Sequence, residues 1–156
     1  MNKQNLLHVD VRILEPVQVA YRECTFREGK GDCASRIHRT FQYLREWAVC
    51  MGLNPAELLQ IGIPTLHDGA LAGYACCLEY MLPYLDEHSE VSIMVLPGGR
   101  YAVMPLEKTL EQAGEILALL HSGYDLSEHQ IVPDPHRPVY EIFHPHSTDY
   151  CVPVAE

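Results

Sequence analysis

From His8 to Cys24 apolar and polar residues alternate: Val9, Val11 and Ile13 share one face, and beyond Glu15-Pro16 so do Val17, Val19 and Tyr21. A period of two puts such residues on one side of a strand, so this stretch predicts a strand broken at the proline. Phe26 to Asp32, with two glycines, predicts a loop. The period then changes. Ile37, Phe41, Leu44, Ala48 and Met51 recur at helical spacing with Trp47 beside them, while Arg36, Arg39, Gln42, Arg45 and Glu46 take the wet side. Asp32 or Ser35 suits the start of this helix, and Gly52 stands where a terminating glycine belongs. After Asn54-Pro55, the segments Leu58 to Ile63 and Tyr74 to Leu82 read as strands around a turn at His67-Asp68-Gly69.

The order then repeats. Val91 to Val95 alternates weakly, Pro97-Gly98-Gly99 turns or bulges, and Tyr101 to Met104 resumes as strand. Leu106, Leu110, Ala113, Leu117 and Leu120 predict a second amphipathic helix, with Glu107 and Glu111 in its first turns and Gly123 at its end. A loop rich in Pro, Asp and His spans Val132 to Pro138, and Val139 to Phe143 and Tyr150 to Val154 are the last strands. Strand, helix, strand, strand, twice over, predicts an α+β fold of duplicated βαββ units with pseudo-two-fold symmetry. The six strands are expected to form one mixed or two abutting antiparallel-rich sheets, with two long helices on one side. A ligand would take the open side or the cleft between the halves. The expectation is one domain over residues 1–156, with a core from about 8 to 154.

Composition narrows the function. The net charge of −10 argues against a nucleic-acid partner, which draws its affinity from clustered Lys and Arg, and it favours cationic ligands. The six cysteines form no C-x-x-C, and the opening Met1-Asn2-Lys3-Gln4-Asn5 does not resemble a signal peptide. No apolar run approaches the ~20 residues of a membrane span. Reduced thiols and a cytoplasmic location are expected.

Two carboxylates interrupt apolar strands. Glu141 shares a face with Val139 and Phe143, and Glu79 shares one with Cys77 and Met81. A carboxylate among apolar side chains can draw a cation into a low-dielectric pocket or act as a general acid or base; otherwise its face is solvated and it points to water. Nine tyrosines occur against three phenylalanines and one tryptophan, with Tyr21, Tyr74, Tyr80, Tyr101 and Tyr140 in predicted strands and Trp47 on the first helix. They suit the walls of a cation site, or ordinary core packing with the hydroxyl at the rim. Among nine histidines, only His144-Pro145-His146 with Cys151 nearby suggests a metal, and the ligand spacing of known sites is missing. No metal or other cofactor is expected. Pro97-Gly98-Gly99 lacks the ending of a phosphate loop, and no nucleophile motif occurs.

Several segments together resemble the GyrI-like small-molecule-binding domain, found also as the effector-binding half of some AraC-type and MerR-type multidrug regulators. They are Val17 to Tyr21, Phe41 to Trp47 before Gly52-Leu53, Ile61 to Asp68, Leu96-Pro-Gly-Gly-Arg-Tyr-Ala-Val103, Ser122-Gly-Tyr124, Pro138 to Phe143 and Val152-Pro-Val154. The resemblance runs from about Val9 to Val154, and the Leu96–Val103 segment is its most specific part. It implies an aromatic-lined cleft with an acid at its base that meets cationic molecules. Glu141 stands at that acid's position, Tyr21, Trp47 and Tyr101 at positions bordering the cleft, and Asp149 at one that is often acidic. The ligand-binding set is thus Glu141, Tyr21, Trp47, Tyr101, Glu79, Tyr74, Tyr80 and Phe143. The loop after the first strand and the Glu79 strand depart from the family pattern. The resemblance implies a stand-alone sensor or sequestering protein without its own DNA-binding part, acting on a lipophilic cation or aromatic molecule. A homodimer or a separate regulator protein is a further partner it allows. Two alternatives are a hydrolase of strained electrophiles using Glu141 and a tyrosine, and a protein that acts on gyrase or a regulator.

Overall fold

The computed structural model describes residues 9–26, 33–68, 70–85, 90–107 and 132–155. They form two compact units, the first Pro16–Leu96 and the second Met1–Glu15 with Pro97–Glu156. Strand β1 (Asp10–Leu14) comes first in the chain but belongs to the second unit. The first unit holds β2 (Val17–Thr25), α1 (Cys33–Cys50), a 3-10 turn at Pro55–Glu57, β3 (Gln60–His67), β4 (Ala70–Glu79) and β5 (Ser92–Leu96). Its strands lie in the order β3-β4-β2-β5, and neighbours are antiparallel.

The helix α1 forms where the apolar period predicts it, and buries Phe41, Leu44 and Ala48 against β2 and β4. Strand alternation sends Cys24, Tyr74 and Cys76 toward it. Phe41 meets the Tyr74 ring edge-on at 6.1 Å, and Cys24 Sγ lies 3.1 Å from Thr40 Oγ1. Gly52 ends the helix with φ +81°. Leu53 N–H donates to the Ala48 carbonyl at 2.9 Å and Gly52 N–H to that of Val49 at 3.0 Å, the crossed pair that satisfies the last carbonyls of a helix.

The second unit contains β1, β6 (Gly99–Glu107), β7 (Tyr140–Phe143) and β8 (Ser147–Pro153), in the order β1-β6-β8-β7 and again antiparallel. Tyr101, Ala102, Val103, Met104, Cys151, Val152 and Val154 are buried in it. Arg137 fastens the loop before β7. Its guanidinium donates to Asp134 Oδ2 (2.9 Å) and to the carbonyls of Gly98, Arg100 and Val154 (3.2, 3.2 and 2.7 Å).

The α+β class and the antiparallel strands follow the sequence reading, but several details differ. The described residues hold eight strands, where six were expected. Glu15-Pro16 and Pro97-Gly98 end strands where bends were predicted, because the two sides of each pair with different strands: β1 with β6, and β2 with β4 and β5. Leu106 and Glu107 do not open a second helix. The β6 ladder runs on to Leu106↔Thr148 and Glu107↔Ser147. The rest of that expected helix, and Gly123 at its end, lie outside the described residues, as does Asp32 at the start of α1. Among the described residues no helix is long and apolar enough to cross a membrane.

All six cysteines are free; Cys24, Cys76, Cys77 and Cys151 are buried, Cys33 is half-buried and Cys50 is exposed. Burial, then the charge of Glu23, pushes the Cys77 thiol up to about 12, and burial, then Asp149, does the same for Cys151. The reactive species is the thiolate. Iodoacetamide at mildly alkaline pH is therefore expected to label Cys50 first and Cys33 next, and the four buried thiols only on unfolding. Peptide mapping by mass spectrometry reads the order, and early labelling of Cys77 or Cys151 would contradict this packing.

Candidate functional site

Residues 140–143 form β7 because Tyr140, Ile142 and Phe143 suit a strand, and the backbone reverses at Pro145-His146 into β8. His144 N–H donates to the Ser147 carbonyl at 2.9 Å and closes this hairpin. Alternation along β7 splits its side chains between two environments. Tyr140 stacks on Tyr101 with ring centres 5.2 Å apart, and its hydroxyl donates to the Pro97 carbonyl at 2.8 Å. Glu141 faces the other way. The residue is 9% exposed, and its partner across the ladder is Tyr150, itself opposite Met104 of β6. One step along, Phe143 faces the buried Thr148. A buried acid thus lies in a patch of phenol, hydroxyl, thioether and phenyl groups. Burial, then the negative charge of Glu141, pushes the Tyr150 hydroxyl up to about 12. At neutral pH Tyr150 is an uncharged donor beside Glu141.

Glu79 takes a different part. It belongs to the first unit and is half-buried at the end of β4, where its backbone N–H donates to the Leu59 carbonyl (2.8 Å) and its Oε1 accepts the Leu59 N–H (3.3 Å). This reciprocal pair closes the chain where the 3-10 turn leads into β3. Tyr21 shares with Glu79 the face of the first unit turned away from α1, opposite Cys77 and Ile61 in the ladder. Tyr74 points the other way, beneath α1. Tyr80 is fully buried, donates to the Tyr84 carbonyl and lies 5.3 Å from the Trp47 ring. The Trp47 Nε1 is buried without a hydrogen-bond partner among the described residues. Tyr101 is fully buried in the second unit. Its hydroxyl donates to the Pro138 carbonyl at 3.2 Å, and the Arg137 guanidinium lies 5.0 Å from its ring centre, so a cation of the chain itself already uses that ring.

The structure thus brings together Glu141 and Phe143, and separately Glu79 and Tyr21; Trp47, Tyr74, Tyr80 and Tyr101 are held in packing contacts. His144 is engaged by Asp149, Nε2 to Oδ2 at 2.8 Å, and among the described residues no three His, Cys, Asp or Glu side chains gather as for a metal. Sequence reading missed Tyr150, Thr148 and Arg137. A signal for the first two was present: a hairpin turning at Pro145-His146 sets 141 opposite 150 and 143 opposite 148. Arg137 could not be found that way, since its carbonyl partners come from distant segments.

No protein-family model matches the chain, and no curated protein matches its sequence. Solved structures do. An integron cassette protein from the mobile metagenome of Vibrio cholerae superposes with a TM-score of 0.62 at 12% identity, over 94% of this chain and 95% of its own. The C-terminal domain of EcmrR gives 0.70 at 9% identity, over 97% and 99%. SAV2435, solved bound to tetraphenylphosphonium, gives 0.57 at 13% identity, over 95% and 94%. At such low identity the likeness establishes a shared fold along almost the whole chain.

Proposed function

We propose that the chain is a GyrI-like small-molecule-binding domain, built on a duplicated βαββ plan, that takes up a hydrophobic cationic or aromatic molecule as a cytoplasmic sensor or sequestering protein. The observation that carries this reading is the buried Glu141 carboxylate beside the neutral Tyr150 and Phe143. A delocalised cation is weakly hydrated, so little opposes its transfer to such a site, and the carboxylate repays that cost. The fold shared with SAV2435, which holds a lipophilic cation, and with a domain of EcmrR supports the reading. So does the strand order: β3-β4-β2-β5 in the first unit and β7-β8-β6-β1 in the second follow the same plan. Free, buried thiols suit a reducing compartment.

The test is fluorescence titration with tetraphenylphosphonium and rhodamine cations beside neutral aromatics of similar shape. Glu141→Gln is expected to weaken the cations about tenfold to a hundredfold and leave the neutral compounds within about twofold, since a charge at this depth is poorly screened. Equal weakening of both classes would count against an electrostatic role. The carboxylate–phenol pair also favours a second reading, hydrolysis of a strained electrophile, with Glu141 activating water and Tyr150 donating a proton. Turnover abolished by both Glu141→Gln and Tyr150→Phe would select that reading.

A further inference from the structure

In a chain of net charge −10, with 11 lysines and arginines in all, three arginines gather at one place in the first unit. Arg22 of β2 and Arg36 and Arg39 of α1 line an open depression of about 420 Å³, together with Cys24, Thr40 and Tyr43. Glu23 also borders it, but alternation along β2 turns that side chain to the opposite face, where its charge acts on the Cys77 thiol. Two of the guanidinium groups are already fixed. Arg22 pairs with Glu90 at 2.8 Å and lies 4.3 Å from the Tyr43 ring centre. Arg36 donates to the Thr25 carbonyl at 2.8 Å and lies 5.1 Å from the Phe26 ring centre. Each uses one end of its fork and keeps other N–H donors. Arg39 is exposed and, among the described residues, engages no hydrogen bond or ion pair. It follows Arg36 by three positions, a spacing that sets like charges side by side on a helix and costs stability unless an anion lies between them.

We propose that this depression binds a small molecule through its phosphate group, a phosphate monoester or a pyrophosphate. With Arg22 balanced by Glu90, the two helical arginines leave about two positive charges, which matches the roughly −1.5 to −2 of a phosphate monoester at neutral pH and exceeds a carboxylate. Forks fixed by Tyr43, Phe26 and Thr25 lose little freedom on binding, and guanidinium forks suit phosphate oxygens. The volume is that of a small-ligand site. None of these residues belongs to the patch around Glu141, so the anion would be a second ligand of opposite charge.

The probe is pyrophosphate, titrated into the full chain by calorimetry, with benzoate as a monoanionic control. Saturable binding is expected, weakened by raised ionic strength, with benzoate at least about tenfold weaker because it engages fewer donors. Arg39→Gln removes an exposed side chain that has no partner among the described residues and should leave the melting curve unchanged, yet weaken pyrophosphate about tenfold or more, the scale of a lost charge-assisted hydrogen bond. Arg36→Gln should weaken pyrophosphate by a similar factor but also lower the melting temperature, because Arg36 holds the Thr25 carbonyl and the Phe26 ring. Absence of saturation, unchanged affinity in Arg39→Gln, or benzoate binding as tightly as pyrophosphate would each overturn the assignment.

Discussion

Gly62→Ala is expected to be among the most damaging single substitutions in the chain. Gly62 is buried in β3 opposite Cys76, and a Cβ there would fall 1.7 Å from the Tyr74 hydroxyl oxygen and 2.4 Å from the ring carbon that bears it. A methyl group and an aromatic ring cannot share that space. The ring has nowhere to withdraw, since Tyr74 is 5% exposed and packs edge-on against Phe41 under α1. Overpacking of this kind typically costs about 1 to 3 kcal/mol, and a clash with the body of a fixed ring belongs at the upper end. For a chain of this size that is a fall in melting temperature of roughly 5 to 10 °C. Urea unfolding measures it directly. Tyr74→Leu on top of Gly62→Ala should recover part of the loss, because the shortened side chain vacates the position. A Gly62→Ala protein as stable as the parent would mean that Tyr74 does not lie over β3.

The second large effect is a steep loss of stability in alkali. Burial, with neighbouring thiols adding to it, raises Cys76 far above its ordinary value, and burial raises Cys77 and Cys151 to about 12. Each of these thiols keeps its proton in the folded chain at pH values where the unfolded chain has lost it. Above about pH 9 the folded state therefore binds more protons, and stability must fall as pH rises. The stabilising contribution is whole below the unfolded value near 9 and is lost on the way to 12. In that window each group removes up to about 1.4 kcal/mol per pH unit, so three thiols together approach about 4 kcal/mol per unit, a large part of a typical folding free energy. Tyr150, raised to about 12 by burial and Glu141, adds to the fall from about pH 10 upward. Urea midpoints between pH 8 and 11 test this. Cys77→Ala with Cys151→Ala should make the slope distinctly shallower. A flat profile to pH 11 would show that these thiols are hydrated.

The helix α1 was legible because its apolar residues recur at helical spacing and a glycine follows them; both signals are local. The strands were legible from alternation, and the acid in β7 from its apolar neighbours. Alternation says that Glu141 and Tyr140 face opposite ways, but it cannot say which side is core. That depends on the stack of Tyr140 with Tyr101, forty residues apart in rough terms, and on the ladder to β8. For the same reason the six aromatic positions of the expected binding wall looked equivalent in the sequence. Their roles divide only when register puts Tyr74 beneath α1, Tyr80 against Trp47 and Tyr101 under Arg137.

By itself, then, the sequence determined helix α1 and its end, the strand character of most other segments, and that Glu79 and Glu141 interrupt apolar strands, because period, capping and turn chemistry are written in neighbouring residues. The tertiary structure alone decided that β1 and β2 part at Pro16 to pair with different strands, that Glu79 closes a backbone ladder while Glu141 lies buried beside Tyr150, and that Arg22 meets Arg36 and Arg39. Those outcomes rest on pairings between segments distant in the chain, and no local pattern encodes which of several compatible strands will become a neighbour.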